Sequence, residues 1–174
     1  MTLNVNQFGL SNLPGNLALT TGFNNVISCL YNPTLDEDNT LLPGEAVKLI
    51  DLGASDVSST APIVGKRSAA TDTSLWGVVV RTAKSSTTKP GSIVDVARNG
   101  TVISLVATAP LNRGALLTPD FANPGNVIVA NNATADVAVL GVALDKAVKA
   151  GDIIRVEINT YVWLTPPPDP GSGG

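Results

Sequence analysis

The side chains that could carry out chemistry in this chain are few, and two features deserve a test. Cys29 lies in the apolar run VISCL at 26–30, where a thiol could serve as a nucleophile. Such a nucleophile needs a base, and the chain contains no histidine, so we predict that Cys29 is a small buried side chain. The acidic run DEDN at 36–39 could hold Ca²⁺ through its oxygens. It lacks the alternating spacing of a calcium loop, which favours a solvated turn.

The residue inventory excludes most catalytic and cofactor sites. Without histidine, the chain has no Ser-His-Asp or Cys-His arrangement and no imidazole ligand for a metal. A single cysteine cannot form a zinc site within one chain, and neither glycine-rich phosphate-binding motif occurs. Paired carboxylates would suit a glycosidase, but sugar clefts usually add aromatic platforms, and aromatic residues make up only 4%. We therefore predict a protein that is not an enzyme and that uses no cofactor, metal or small-molecule substrate.

Composition favours a surface that other subunits cover. The 174 residues are 44% hydrophobic and only 14% charged, so much of the surface must be neutral Thr, Ser, Asn and Gly. A plain particle surface is the alternative. The net charge of −3 and the scattered Lys and Arg residues argue against nucleic-acid binding. No apolar run reaches the ~20 residues that span a bilayer, and the N-terminus lacks a signal-peptide pattern, so we expect no membrane partner and synthesis in the cytoplasm.

One sequence pattern occurs nearly twice. Residues 75–94 (LWGVVVRTAKSSTTKPGSIV) and 139–154 (VLGVALDKAVKAGDII) share an apolar strand with a glycine, a variable loop and a Gly-x-Ile strand. The matching positions are Gly77 with Gly141, Val78 with Val142, Ala83 with Ala147, Gly91 with Gly151, Ile93 with Ile153 and Val96 with Val156. Residues 43–50 (PGEAVKLI) echo the second half more weakly. A repeated strand unit predicts a β-scaffold that supplies shape and surface, and chance similarity among Val- and Gly-rich strands is the alternative.

Strand signals recur along the whole body of the chain. Apolar segments follow one another every 8–15 residues with Gly, Pro and Asn turns between them, and no three-turn amphipathic helix is evident. This spacing predicts an all-β fold, either a compact β-barrel or a sandwich. The pair Asn99-Gly100 stands between SIVDVAR and TVISLVAT, which predicts a tight type I′ hairpin at that point.

The chain divides into three parts by composition. Residues 1–40 are rich in Asn, Leu and Thr and broken by Pro14-Gly15 and Asn32-Pro33, which favours an extended N-terminal arm. Ordinary edge strands of the body are the alternative for this stretch. Residues 41–164 form the predicted barrel or sandwich body, and residues 165–174 form a Pro/Gly-rich tail that begins stiff and ends flexible. The apolar residues expected to anchor the arm are Phe8, Leu10, Leu13 and Phe23.

Residues 41–158 resemble the capsid decoration (cement) proteins of tailed bacteriophages. The segments that carry the resemblance are PGEAV at 43–47, WGVV at 76–79, NGT at 99–101, GALLTP at 114–119, LGVALD at 140–145 and AGDIIRV at 150–156. Their order along the chain is more specific than any one of them. The first 40 residues depart from the pattern, so the resemblance does not cover the mode of attachment.

The resemblance implies a structural role in the virion. Proteins of this kind bind the outside of an expanded phage head, often as trimers, and clamp neighbouring major capsid proteins against the pressure of packed DNA. It implies a homotrimer, a major capsid protein as partner, and location on the outer capsid surface after synthesis in the host cytoplasm. The four arm residues and Trp76 are the expected interface residues, although a Trp in a strand often packs on its own domain. The alternative function is a virion fibre or a tail or neck accessory module, for which a glycan or receptor would be the ligand.

Overall fold

The computed structural model describes residues 14–17, 25–32, 34–52, 61–67, 69, 71–81 and 87–166. Within these ranges the chain forms ten β-strands and no helix, which confirms the all-β prediction. The strands are β1 Val26–Tyr31, β2 Ala46–Leu49, β3 Ile63–Lys66, β4 Gly77–Val79, β5 Ile93–Ala97, β6 Val102–Ala107, β7 Leu116–Pro119, β8 Asn126–Val129, β9 Val137–Ala143 and β10 Ile153–Trp163.

The strands close into two five-stranded barrels with the same topology. The first barrel has the neighbour order β1-β3-β2-β4-β5, and the second, read around the ring from β6, has the order β6-β8-β7-β9-β10. In each barrel the first strand lies parallel to the third, and all other neighbours are antiparallel. The body is therefore a tandem pair of equivalent barrels, where the sequence suggested a single barrel or sandwich.

Strand register makes the equivalence exact to the residue. Leu30 pairs with Ile93 in the first barrel, and Val106 pairs with Ile153 at the corresponding place in the second. The same correspondence holds for the other strand pairs, for example Val47 with Gly77 and Leu117 with Gly141. The structure therefore confirms the repeat at the matched positions that it describes, and chance similarity cannot account for ten strands in matching register. Ala83, which the sequence matched with Ala147, lies outside the described residues.

Two pairs of glycines show why the repeat was visible in the sequence. Gly44 and Gly114 precede β2 and β7 with φ of +87° and +82°, and Gly91 and Gly151 precede β5 and β10 with φ of +75° and +89°. Residues with a Cβ rarely adopt this left-handed region, so both copies of the turn require glycine. The positive φ of these turns therefore restricts the equivalent positions to glycine in both barrels, while the intervening loops differ in sequence.

The predicted hairpin at Asn99-Gly100 is wrong. β5 belongs to the first barrel and β6 to the second, so the two strands do not pair with each other. The Thr101 N–H donates to the Arg98 carbonyl oxygen at 3.0 Å, which closes a turn between the barrels. Gly100 has φ of +88°, but no non-glycine residue among those described has positive φ, so the turn is not type I′. An Asn-Gly pair indicates a turn, and here the barrel closures decide which strands the turn joins.

The core of the second barrel extends onto residues of the first. Side chains of the first barrel form one cluster made of Cys29, Tyr31, Leu41, Val47, Val64, Val79, Val94 and Val96. A second cluster fills the other barrel and also includes three residues from the outer side of the first barrel, namely Val78 in β4, Val80 directly after β4 and Ala97 in β5. Because these three side chains pack with the core of the second barrel, apolar burial holds the barrels together.

A short segment near the N-terminus crosses the junction between the barrels. The Gly15 N–H donates to the Ser104 carbonyl at 2.7 Å, and the Arg81 N–H donates to the Gly15 carbonyl at 2.7 Å. Residues 14–17 are thus bonded to β6 of the second barrel and to the residues that follow β4 of the first. A Cβ on Gly15 would lie 2.6 Å from the Pro43 Cβ, so only glycine fits here.

The first 40 residues are only partly described. Val26–Tyr31 form β1, a strand inside the first barrel, which is the alternative that the sequence left open for this part of the stretch. Phe8, Leu10, Leu13 and Phe23, the predicted arm anchors, lie outside the described residues. The tail from residue 167 onward lies outside them as well.

Candidate functional site

The groups that suggested chemistry have no reactive setting in the described residues. Cys29 is fully buried in the first barrel, and burial raises the pKa of its thiol to about 11, so the thiolate is scarce at neutral pH. Residues 36–39 are exposed, and the Asn39 N–H donates to the Asp36 carbonyl at 3.0 Å, which confirms a solvated turn. Among the described residues, no group of three or more His, Cys, Asp or Glu side chains could hold a metal ion.

Trp76 packs on its own barrel. Trp76 lies just before β4, and its side chain is partly buried against the core of the first barrel. The Trp76 backbone N–H donates to the Val47 carbonyl at 2.8 Å. The Arg98 guanidinium carbon lies 3.9 Å from the centroid of the indole ring, a cation–π contact that covers one face. Burial lowers the pKa of Arg98. The position thus matches the alternative of packing on its own domain, and a role for Trp76 at an interface stays a prediction.

A groove lies at the junction of the two barrels. Its volume is about 180 Å³, and its lining includes Glu45, Lys66 and Arg67 from the first barrel and Phe121 from the second. Glu45 accepts a hydrogen bond from the Leu42 N–H at 2.9 Å and faces the Lys66 ammonium at 3.4 Å. The Arg67 Nε–H donates to the Asp72 carbonyl at 2.9 Å, so the three charged side chains named here all have partners within the first barrel.

The second barrel carries an extension that the first barrel lacks. β10 pairs with β6 only as far as Glu157. Beyond that residue β10 continues to Trp163 and pairs with β9 alone, with Tyr161 opposite Val139 and Trp163 opposite Val137. The register shifts between Ile158 and Tyr161, which separates this part from the closed barrel. We call residues 137–139 and 161–164 the β9–β10 ribbon.

Side-chain hydrogen bonds fix the ribbon in place. Thr160 donates from both its N–H and its hydroxyl to the Asn99 side-chain oxygen, at 3.0 Å each. Thr165 donates in the same way to Asp136, at 2.7 and 3.0 Å, and these bonds lower the pKa of that carboxyl. The Asn132 side-chain amide donates to the Leu164 carbonyl at 2.7 Å. The ribbon is therefore an ordered element in a defined position, able to present a fixed surface.

The ribbon exposes apolar side chains along an open edge. Tyr161 is 40% exposed, Val162 42% and Leu164 65%. No charged residue occurs between Glu157 and Asp169, although charges are what commonly protect an edge strand from pairing with other chains. Two aromatic residues, Tyr161 and Trp163, lie here in a chain that is only 4% aromatic. Such residues are enriched at binding hot spots, so the ribbon is the candidate binding surface.

Sequence reasoning missed the ribbon, although one signal was available. The run from 158 to 168 (INTYVWLTPPP) is uncharged and contains two aromatic residues. It includes the part of β10 that extends beyond the end of the equivalent strand β5. The alternation of β10 ends at Ile158, and residues 161–164 are four consecutive apolar residues, a break in the pattern that the strand prediction did not use.

Comparison with known proteins gives the family. Residues 3–158 match the family described as XM1 gp53 minor capsid protein. The chain belongs to this family. It is thus a structural component of a phage virion capsid, which agrees with the coarser part of the resemblance seen in the sequence. The finer parts, a cement role and a trimer, are not given by the family.

This chain is also similar to a solved structure. The N-terminal base of the head fibre gp8.5 of bacteriophage phi29 aligns with a TM-score of 0.48 and 12% sequence identity, over 79% of this chain and 95% of that chain. No curated protein matches. In the described part of the chain, no helix has the length and apolar character needed to cross a membrane.

Proposed function

We propose that this minor capsid protein is a cement protein that binds the outer surface of a tailed-phage head and stabilises contacts between neighbouring major capsid proteins. The observation that carries the proposal is the β9–β10 ribbon, an ordered, uncharged and apolar edge on a protein of a capsid family. Clamping needs contact area rather than chemistry, and the duplicated barrel supplies a rigid support for that area.

The energetics of the ribbon favour burial against a protein partner. Tyr161, Val162 and Leu164 each leave a large part of their surface in water, and burying it would contribute on the order of 1 kcal/mol per side chain. Open backbone groups along the edge could add hydrogen bonds to a strand of the partner. The net binding free energy of one copy is therefore modest, because the free-energy cost of association offsets much of these contributions.

Multiple attachment makes a modest contact strong. We propose that the protein acts as a homotrimer, so that three ribbons engage the shell at once and the effective concentration of each is high. The arm residues Phe8, Leu10, Leu13 and Phe23 are proposed as further anchors on adjacent subunits. Size-exclusion chromatography with light scattering tests the trimer directly, and a monomer at micromolar concentration would contradict it.

A binding assay with purified heads tests the proposed function. Heads that lack this protein are incubated with the wild type and with a Tyr161→Ser/Leu164→Ser variant, and the bound protein is measured after sedimentation. We expect saturable binding of the wild type and at least tenfold weaker binding of the variant, while a Leu49→Ser control, which removes another exposed apolar side chain, binds as the wild type.

Two outcomes would contradict the proposal. Equal binding of the ribbon variant would remove the ribbon as the attachment surface. Absence of binding to heads, together with binding to tails or necks, would favour the accessory module of a fibre, tail or neck.

A further inference from the structure

The two barrels repeat one surface turn that the fold does not account for. Residues 89–93 read KPGSI and residues 149–153 read KAGDI, and they occupy equivalent places immediately before and into β5 and β10. In both, the third residue is a glycine with positive φ, and the N–H of the fourth donates to the lysine carbonyl, at 3.2 Å and 3.3 Å. The backbone of the two turns is therefore the same.

Each turn presents an exposed isoleucine. Ile93 is 62% exposed and Ile153 is 42% exposed. Ile93 lies directly across from Leu30, and Ile153 lies across from Val106, so each isoleucine shares an outer face with a partly buried apolar side chain. Each barrel thus carries a small apolar patch at the same position.

Each turn also presents an exposed lysine. The Lys89 side chain is 64% exposed and has only a long contact, 3.4 Å, with the exposed Glu37 carboxylate. Lys149 is exposed as well. We call Lys89 with Ile93, and Lys149 with Ile153, the two Lys-Ile patches.

The core and the backbone explain most identities between the barrels, but not these. Val64 and Val127 are identical because they fill equivalent places in the two cores. Gly91 and Gly151 are identical because the turn needs positive φ. Core packing and positive φ explain neither the repeated exposed lysine nor the repeated exposed isoleucine.

The next outward position differs between the two barrels. Asp95 in the first barrel is replaced by Arg155 in the second, a reversal of charge two residues beyond the isoleucine. The retention of both members of the Lys-Ile pair beside such a change points to a shared ligand.

We infer that the two Lys-Ile patches bind two copies of one site on the capsid, an apolar pocket flanked by carboxylates, so that a single chain bridges two capsid subunits. Isoleucine fits the pocket, and the lysine ammonium pairs with a carboxylate at its edge. A duplicated patch needs a duplicated partner, and a capsid shell repeats one protein. This inference rests on the proposed function, because it takes the capsid protein as the partner.

Matched variants test the bridge in the head-binding assay. The variants are Ile93→Ser, Ile153→Ser and the double variant, with Ile128→Ser as control, because Ile128 is 39% exposed and has glycine, Gly65, at the equivalent place in the first barrel. We expect about tenfold weaker binding for each single variant and at least a hundredfold for the double variant. The control should bind as the wild type, and thermal unfolding should be similar for all.

A charge variant tests the second half of the site. Lys89→Glu and Lys149→Glu should each weaken binding by a similar factor, and added salt should reduce the difference from the wild type. Wild-type binding together with full binding of the double isoleucine variant would overturn the inference while leaving the proposed function intact. A large loss for one isoleucine and none for the other would also overturn it. Absence of wild-type binding would instead contradict the proposed function, and this inference with it.

Discussion

Val78 and Val142 offer a matched test of the claim that apolar packing joins the two barrels. They are the same residue type at equivalent register positions, opposite Ala46 in β2 and Leu116 in β7. Val78 is fully buried at the junction, whereas Val142 is only partly buried on the outer face of the second barrel. Substitution by alanine removes the same two methyl groups at equivalent strand positions, so the difference in stability reports the different surroundings of the two side chains.

The magnitude follows from what each substitution removes. Val78→Ala deletes two carbon atoms from a closely packed junction and leaves a cavity, which should lower the free energy of unfolding by about 2 kcal/mol. Val142→Ala removes the same atoms from a partly solvated face, and we expect a loss of about 0.5 kcal/mol. The predicted difference between the two variants is therefore about 1.5 kcal/mol.

Urea denaturation followed by tryptophan fluorescence and by circular dichroism measures both values. If the barrels share one core, the two probes should report one transition in the wild type, and Val78→Ala should shift its midpoint without a change in slope. Equal losses for the two variants would refute the packing argument. Two separate transitions in the wild type would show that the barrels unfold independently and that the junction contributes little.

Three further predictions follow from the structure. Hydrogen bonds from Arg155 lower the pKa of Asp145 to about 2 from 3.8, so this contact should stabilise the fold fully above pH 3.8 and lose its effect as pH falls toward 2; Asp145→Asn should remove that part of the pH dependence of unfolding. Cys29 should resist a thiol reagent at pH 8 in the folded protein and react at once in urea, and rapid labelling of the folded state would contradict its burial. Deletion of residues 2–13, which leaves Gly15 at the barrel junction, should weaken head binding with no change in the unfolding midpoint, and unchanged binding would remove the arm from the proposed function.

The sequence predicted the repeat because backbone geometry restricts the residues that carry it. Gly91 and Gly151 must be glycine for their turns, and a Cβ on Gly77 would lie 2.5 Å from the Ala97 carbonyl oxygen, so these positions remain recognisable. The repeat extended further than the sequence pattern showed. The run VIS occurs at both 26–28 and 102–104, in β1 and β6, but the spacing to the other repeated segments differs between the barrels.

The hairpin and the ribbon show what local patterns leave undetermined. Asn99-Gly100 correctly indicated a turn, but the partners of β5 and β6 depend on ring closure with β1 and β10, far away in the chain. The alternation of buried and exposed residues in β10 holds from Ile153 to Ile158 and ends beyond it, so the sequence marks where the barrel strand stops. The loss of the β6 partner after Glu157, which leaves the rest of the strand paired with β9 alone, is a property of the assembled barrel.

Imaging of phage heads by electron cryomicroscopy, with and without this protein, tests the central claim most directly. We predict extra density on the outer surface of heads that contain it, at places where neighbouring major capsid proteins meet, with two barrels resolved per copy. Heads that lack it should show the same shell without that density and should rupture more readily. Density on the inner surface, at the neck or tail alone, or no difference between the two maps would contradict a cement role.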